Sequence, residues 1–103
     1  MKMFDIYIAY VSWDSGGKRR PVLILEESVG NVTVFSITTR YESKSEEMRA
    51  KYFVINEWQQ AGLDRQSYID TNKTVTLPET AVSNPVGRLS PGDERRLIEF
   101  ISR

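Results

Sequence analysis

Neither cysteine nor histidine occurs anywhere in this 103-residue chain. Without cysteine there is no disulfide framework and no thiol nucleophile, and without either residue the usual ligands of a zinc site are missing. A catalytic imidazole and a Ser-His-Asp triad are excluded for the same reason. Any reaction must therefore use arginine, lysine, hydroxyl groups, carboxylates or backbone amides.

Motifs for metal and nucleotide binding are also lacking. The sequence contains no Asp-x-Asp cluster, no P-loop and no Gly-x-Gly-x-x-Gly stretch. Carboxylate clusters are the typical ligands of Mg²⁺, and the two glycine motifs hold phosphates of nucleotide cofactors. We therefore expect no metal site and no cofactor, and a metal-free mechanism is favoured.

Net charge and long apolar runs are absent as well. The 14 basic residues balance the 14 acidic residues, so no global field draws the protein to a polyanion, and a local patch would have to bind one. No apolar run approaches the ~20 residues of a membrane span, and Met1-Lys2 leads into a strand-like pattern rather than a signal sequence. We expect a cytoplasmic protein that does not bind membranes.

The residues that are present favour one compact β-rich domain over 1–103. Apolar residues make up 40% of the chain, which is enough for a core. β-Branched and aromatic residues predict strands at 4–11, 21–25, 32–39, 52–55 and 67–77, the last one interrupted near 72–73. With a C-terminal helix after these strands, the pattern indicates an antiparallel β-barrel with short helices.

Several details of this pattern can be compared with the structure. In the first strand, alternation places Phe4, Ile6, Ile8 and Tyr10 on one face. The polar segment 40–51 is interpreted as a mobile loop.

The helical segments carry their own signals. Asn56 is a candidate cap for a helical turn that Gly62 would end, and Ser90 a candidate cap for the final helix up to Ser102. In that helix the residues expected to face the core are Leu97, Ile98 and Ile101.

The segment GGKRRPVLIL at 16–25 is the strongest functional candidate. Pro21 biases Arg20 toward extended geometry, so a strand would begin with guanidinium groups at its mouth. An arginine fixed in this way can bind a phosphate through two parallel hydrogen bonds. The alternative is a solvated turn, whose charges only keep it in contact with water.

The order of several motifs resembles that of the MazF/PemK family of bacterial toxins. These motifs are Phe4-Asp5-Ile6-Tyr7, the basic segment at 16–25, Ser36-Ile37-Thr38-Thr39, Gly62-Leu63, Ser67-Tyr68-Ile69, and Val86-Gly87-Arg88-Leu89-Ser90. The resemblance covers nearly the whole chain. It implies a PemK-like small barrel, related to SH3-like barrels and to the CcdB fold, that forms a homodimer and cleaves single-stranded RNA without a metal. It also implies a cognate antitoxin whose disordered tail covers the RNA groove.

The resemblance assigns catalytic roles to two positions. Arg20 corresponds to the arginine before the proline, and Thr38 to the threonine of the Ile-Thr pair. A fixed guanidinium stabilises charge that develops on the phosphoryl oxygens, and a hydroxyl can add a hydrogen bond to the same phosphate. From the residue alone, Thr38 is equally a β-forming threonine.

The proton acceptor is less well defined. Some members of the family carry an arginine and an aspartate two residues apart, where this chain has Asp70 and Asn72, and a histidine used by certain members is missing. Arginine is a poor base because it stays protonated near neutral pH. Asp70 is the leading candidate, followed by Asp14 and Glu26.

Further side chains are candidates for RNA binding. Lys18 and Arg19 would attract RNA by charge, Arg40 would contact a phosphate, and Trp13 would stack on an unpaired base. The alternatives are solvated cations and a tryptophan that belongs to the core or to a dimer contact. Tyr41 and Trp58 have the same two interpretations.

Two functions other than RNA cleavage fit the same fold. A CcdB-like toxin poisons DNA gyrase and ends in Trp-Gly-Ile, whereas this chain ends in Phe100-Ile101-Ser102-Arg103. A catalytically silent module that binds RNA or an antitoxin would explain the departures at Asp70 and Asn72.

Overall fold

The protein is mainly an antiparallel sheet with a C-terminal helix, which confirms the predicted fold class. A computed structural model describes residues 1–13 and 15–103, with only the backbone described for Trp13. The elements are β1 (Asp5–Trp13), β2 (Gly16–Ser28), β3 (Asn31–Thr38), α1 (Glu46–Arg49), β4 (Tyr52–Val54), β5 (Tyr68–Pro78), a 3-10 turn (Glu79–Ala81), β6 (Val82–Arg88) and α2 (Pro91–Ile101). The strand order is β4-β5-β3-β2-β1-β6. Among the described residues no pairing joins β4 to β6, so the six-stranded sheet is not closed.

Two strands differ from the sequence prediction. β2 begins at Gly16 because the basic segment is itself paired with β1, with Arg19 opposite Tyr10 and Arg20 opposite Ala9. β6 was not predicted, since its polar residues and Pro85 have low strand propensity. A proline is tolerated there because β6 lies at the edge of the sheet.

Both faces of the sheet are buried, each against its own apolar cluster. Ile6 and Leu23 belong to the first cluster, while Ala9, Val11 and Val22 belong to the second. Ile6 and Tyr10 share a face, as the alternation predicts, but that face is covered only at the start of β1. Tyr10 is 48% exposed, whereas Ala9 and Val11 on the other face are buried. The alternation of side chains shows which residues of a strand share a face, but it does not show where along the strand other elements cover that face.

β5 contains an irregularity at the predicted interruption. Ser36 of β3 is opposite Asp70, but Val34 is opposite Val75, so residues 71–74 of β5 face one residue of β3. The backbone N–H of Asn72 donates to Oδ1 of Asp70 at 2.9 Å inside this bulge. The bulge interrupts the β3–β5 ladder just after Asp70, and the pairing resumes at Val75.

α2 begins and packs as a capped amphipathic helix, with one error in the prediction. The Ser90 hydroxyl accepts from the N–H of Asp93, as predicted, and Leu97 is fully buried. Ile98 and Ile101, however, are 47% and 45% exposed. The helix contacts the sheet along Leu97 and Phe100, and Phe100 meets Phe53 edge to face, so positions one residue further around the helix point outward. No helix in the described part of the chain is long and apolar enough to cross a membrane.

The turn after β4 depends on α2. The buried Asp93 carboxylate accepts hydrogen bonds from the backbone N–H groups of Asn56 and Glu57 at 3.3 and 2.9 Å. Asp93 therefore binds the first two amides of this turn, a contact that the predicted cap by Asn56 did not include, since a cap accepts from amides two or three residues later. Gly62 ends the turn at φ 91°, where a β-carbon would collide with the carbonyl oxygen of Val86.

The segment between β3 and β4 is structured rather than an unordered loop. It contains α1, and Arg49 at the end of α1 donates to the carbonyl oxygens of Lys44 and Glu42 at 3.0 and 3.1 Å. The Arg49 guanidinium also lies over the ring of Tyr41, which stacks on Tyr68 with ring centroids 4.3 Å apart. This stack attaches the segment to β5.

Candidate active site

A row of side chains crosses four strands at one end of the sheet. In the hydrogen-bonded registers Val22 is opposite Ser36, Ser36 is opposite Asp70, and Asp70 is opposite Tyr52. Residues directly opposite one another in neighbouring strands point to the same face. The row therefore runs from an apolar residue of the second cluster, through a hydroxyl and a carboxylate, to a phenol.

Arg20 and Thr38 lie next to this row on the same face. The register of β2 and β3, continued by two residues beyond Val22 and Ser36, places Arg20 opposite Thr38. Alternation keeps both side chains on the face that carries Val22 and Ser36. The predicted catalytic residues Arg20, Thr38 and Asp70 are thus brought together by three adjacent strands.

These side chains surround a cavity of about 570 Å³. Its lining residues are Lys18, Arg19, Arg20, Pro21, Ser36, Ile37, Thr38, Thr39, Arg40, Lys44, Tyr52, Ser67 and Asp70. Five of them are cationic and one is a carboxylate, although the whole chain has no net charge. Within the part of the chain that the structure describes, the cavity is therefore a local basic site with a single carboxylate among the cations.

Hydrogen bonds orient the two oxygen-bearing side chains. The backbone N–H of Arg40 donates to Oγ1 of Thr38 at 3.0 Å, which uses an acceptor position and leaves the hydroxyl hydrogen for donation. Oδ1 of Asp70 accepts from the N–H of Asn72, so the carboxylate is anchored through one oxygen. Asn72 contributes its backbone and is not among the residues that line the cavity.

Tyr52 is a member of the site that sequence reasoning missed. Its side chain is only 7% exposed, yet it lines the cavity opposite Asp70. Burial raises the pKa of the Tyr52 phenol, the Asp70 carboxylate raises it further, and the Arg20 guanidinium opposes this shift. The pKa of Tyr52 therefore depends on both charged groups of the predicted catalytic set, Asp70 and Arg20. In the sequence Tyr52 resembles any aromatic strand residue. The one available signal was that alternation places it on the face of the strand opposite to that of Phe53.

The comparisons with known proteins agree with this fold. Residues 2–100 match the family described as PemK-like, MazF-like toxin of type II toxin-antitoxin system. The chain belongs to this family. It is 30% identical, over an alignment of 109 residues, to the probable endoribonuclease MazF of Mycolicibacterium smegmatis, covering 98% of this chain and 96% of that protein.

Solved structures show the same architecture. The Mycobacterium tuberculosis toxin MazF-mt6 is similar with a TM-score of 0.73 and 30% identity, over 95% of this chain and 92% of that one. A mycobacterial endoribonuclease in complex with its cognate antitoxin shares the fold with a TM-score of 0.71 at 14% identity, over 97% and 89% of the two chains. The resemblance inferred from the sequence motifs is therefore confirmed.

The remaining predicted site residues divide into three groups. Lys18, Arg19 and Arg40 line the cavity, and Nη1 of Arg19 donates to Oγ of Ser83 on β6 at 3.1 Å. Glu26 is exposed opposite Thr33, toward the other end of β2, and does not line the cavity, so its candidacy as a base is wrong.

The third group consists of aromatic residues and one residue that the structure does not place. The side chain of Trp13 and the whole of Asp14 lie outside the described residues. Trp58 packs against the first apolar cluster, which confirms the core interpretation for this residue. Tyr41 stacks on Tyr68. In residues 1–13 and 15–103 no group of three or more carboxylates is close enough to hold a metal ion.

The electrostatic environment of Tyr52 can be tested by titration. We expect its pKa to lie above that of an exposed tyrosine, to fall in Asp70→Asn, and to rise in Arg20→Ala. NMR of the protein labelled with ¹³C at the tyrosine ring carbon that bears the hydroxyl would measure this, with Tyr52→Phe assigning the signal. A Tyr52 pKa that is the same in both variants as in the unmodified protein would contradict the cavity geometry.

Proposed function

We propose that residues 1–103 form a ribonuclease domain of this toxin and that the cavity is its active site, where single-stranded RNA is cleaved without a metal ion. The observation that carries the proposal is the cavity itself, whose described lining places five cations around one carboxylate in a chain of zero net charge. The relative named as a probable endoribonuclease supports the same activity. A basic groove of this kind fits the phosphates of a nucleic acid, because they are the part of RNA that cations bind.

In the proposed reaction the ribose 2′-hydroxyl of the substrate attacks the adjacent phosphorus. The 2′-oxygen–phosphorus bond forms and the bond from phosphorus to the 5′-oxygen breaks, which leaves a 2′,3′-cyclic phosphate and a 5′-hydroxyl. This route suits the chain because histidine and cysteine are absent and the substrate supplies its own nucleophile.

Arg20 and Thr38 stabilise the transition state in this proposal. Negative charge accumulates on the phosphoryl oxygens, and the half-buried Arg20 on β2 presents a guanidinium that loses little freedom on binding. Thr38 keeps its hydroxyl hydrogen for the same phosphate, because the Arg40 amide occupies an acceptor position.

Asp70 is the proposed general base. Among the residues that the structure describes it is the one carboxylate that lines the cavity, and its second oxygen is not used by the Asn72 amide. A carboxylate accepts a proton in its ionised form. Lys18, Arg19 and Arg40 would bind flanking phosphates, and Trp13 is proposed to stack on a base of the substrate.

The first prediction concerns the chemistry. Cleavage of single-stranded RNA should continue in EDTA, and analysis of the ends should find a 2′,3′-cyclic phosphate and a 5′-hydroxyl. An otherwise identical substrate with 2′-deoxyribose at the cut site should remain intact, because its nucleophile is missing. If the deoxy substrate is cut at the same rate, attack by the 2′-hydroxyl is wrong.

A second prediction concerns the two residues at the phosphate. Arg20→Ala should reduce the cleavage rate by on the order of 10²–10³-fold, as does removal of one transition-state donor elsewhere. Thr38→Val loses one neutral hydrogen bond of about 0.5–1.5 kcal/mol, so the rate should fall roughly 2- to 10-fold. Arg95→Ala is the matched control, because Arg95 is exposed on α2 outside the cavity. Undiminished cleavage by a folded Arg20→Ala variant would remove Arg20 from the mechanism.

We also propose a homodimer and a cognate antitoxin as partners. Ile98 and Ile101 expose an apolar strip on α2, which a second copy of the chain would cover. The five cations of the cavity fit an acidic, disordered antitoxin segment that folds on binding and excludes RNA by overlap.

We expect light scattering to show a dimer at micromolar concentration. A monomer at that concentration would argue against the dimer.

We expect inhibition of cleavage by the antitoxin to be competitive with RNA. Cleavage that persists in the toxin–antitoxin complex would argue against overlap at the cavity.

A further inference from the structure

We propose that Tyr52 is the general acid of the reaction and transfers its phenolic proton to the departing 5′-oxygen. This inference rests on the proposed ribonuclease function and adds a residue to it. It follows from the position of Tyr52, buried in the cavity wall and directly opposite Asp70.

The reaction requires a proton donor as well as a base. The 5′-oxygen leaves as a strongly basic alkoxide unless a proton reaches it in the transition state. Arginine side chains hold their protons too tightly, and the serine and threonine hydroxyls of the lining are weak acids. Among the described residues that line the cavity, the remaining donors are Lys18, Lys44 and Tyr52.

Position distinguishes these three donors. Lys18 is exposed and Lys44 is half-buried in the segment that follows β3, both on long flexible side chains. Tyr52 is buried on β4, whose start is fixed to β5 by two hydrogen bonds from Thr71, one from its N–H and one from its hydroxyl, to the carbonyl oxygen of Lys51. Tyr52 is therefore the donor whose position is set by the sheet.

The neighbours of Tyr52 keep its proton in place until it is needed. The charged groups that act on the phenol are Asp70 from β5 and Arg20 from β2. Burial and Asp70 raise the pKa of Tyr52 against the opposing effect of Arg20, so the phenol is neutral at physiological pH. A neutral phenol is a hydrogen-bond donor toward the leaving oxygen.

The proposed cycle is balanced in protons. Asp70 takes the proton of the 2′-hydroxyl as the new bond to phosphorus forms, and Tyr52 gives its proton to the 5′-oxygen as the old bond breaks. The resulting phenolate and protonated carboxyl lie on directly opposed residues of β4 and β5, about 4.5–5.5 Å apart at their β-carbons. Proton transfer from Asp70 back to Tyr52, directly or through one water, restores the enzyme.

The test uses two RNA substrates that differ in one atom. The first has the natural 5′-oxygen at the cut site, and the second has sulfur in that bridging position. A thiolate leaves without protonation because a thiol has a pKa of about 8.5. Tyr52→Phe should slow cleavage of the oxygen substrate by on the order of 10²–10⁴-fold and cleavage of the sulfur substrate by no more than a few-fold.

Two variants complete the comparison. Tyr7→Phe removes the hydroxyl of a half-buried tyrosine that packs on the second cluster and does not line the cavity. This variant should cleave both substrates normally. Arg20→Ala should slow both substrates, because its charge acts on the phosphoryl oxygens rather than on the leaving group. Equal losses on both substrates in Tyr52→Phe, or no loss on the oxygen substrate, would refute the acid role.

A measurement on the unmodified protein covers the case in which Tyr52→Phe does not fold. An acid must be protonated to act, so the enzymatic rate on the oxygen substrate should fall relative to the sulfur substrate as pH rises through the raised pKa of Tyr52. A ratio that stays constant would refute the inference. If the unmodified protein cleaves neither substrate, the ribonuclease function itself fails together with the inference. If it cleaves both but the ratio and Tyr52→Phe show no difference, the acid role alone fails.

Discussion

The register of four adjacent strands is the constraint on which the site depends. Val22, Ser36, Asp70 and Tyr52 are opposite one another across β2, β3, β5 and β4, and Arg20 and Thr38 extend the same face. Side chains alternate along a strand, so a slip of one residue would move a strand's whole contribution to the other face. The apolar clusters prevent such a slip, because Val22 and Val34 on one face and Leu23 and Phe35 on the other are all buried. Packing of the core therefore fixes the arrangement of the polar groups.

Parts of this arrangement were accessible from the sequence because local signals define them. Glycines, a proline and adjacent cations marked a strand beside Arg20, although it begins at Gly16 and not at Pro21 as predicted, and Ser90 marked the start of α2. Where those signals ended, the prediction failed. Ile98 and Ile101 fit an amphipathic helix, but the side of α2 that meets the sheet is determined by Phe53 and the rest of the first cluster.

Tyr52 shows the limit most clearly. Its neighbour Asp70 is on another strand, and their proximity depends on the β4–β5 register, which no local pattern in either strand specifies. Only the three-dimensional structure reveals that one side of this phenol borders charged groups. β6 was missed for the opposite reason, since an edge strand with a proline carries a weak sequence pattern.

The stack of Arg49, Tyr41 and Tyr68 joins two parts of the protein that both line the cavity. Arg40 and Lys44 reach the cavity from the segment between β3 and β4, whereas Asp70 and Tyr52 belong to the sheet. Arg49 donates to two carbonyl oxygens of that segment, and Tyr41 attaches it to Tyr68, the first residue of β5. An exchange at Arg40 or Lys44 would therefore change the charge at one side of the cavity and leave the register of Asp70 and Tyr52 unchanged. Part of the cavity's charge is thus set independently of the pairing of the strands.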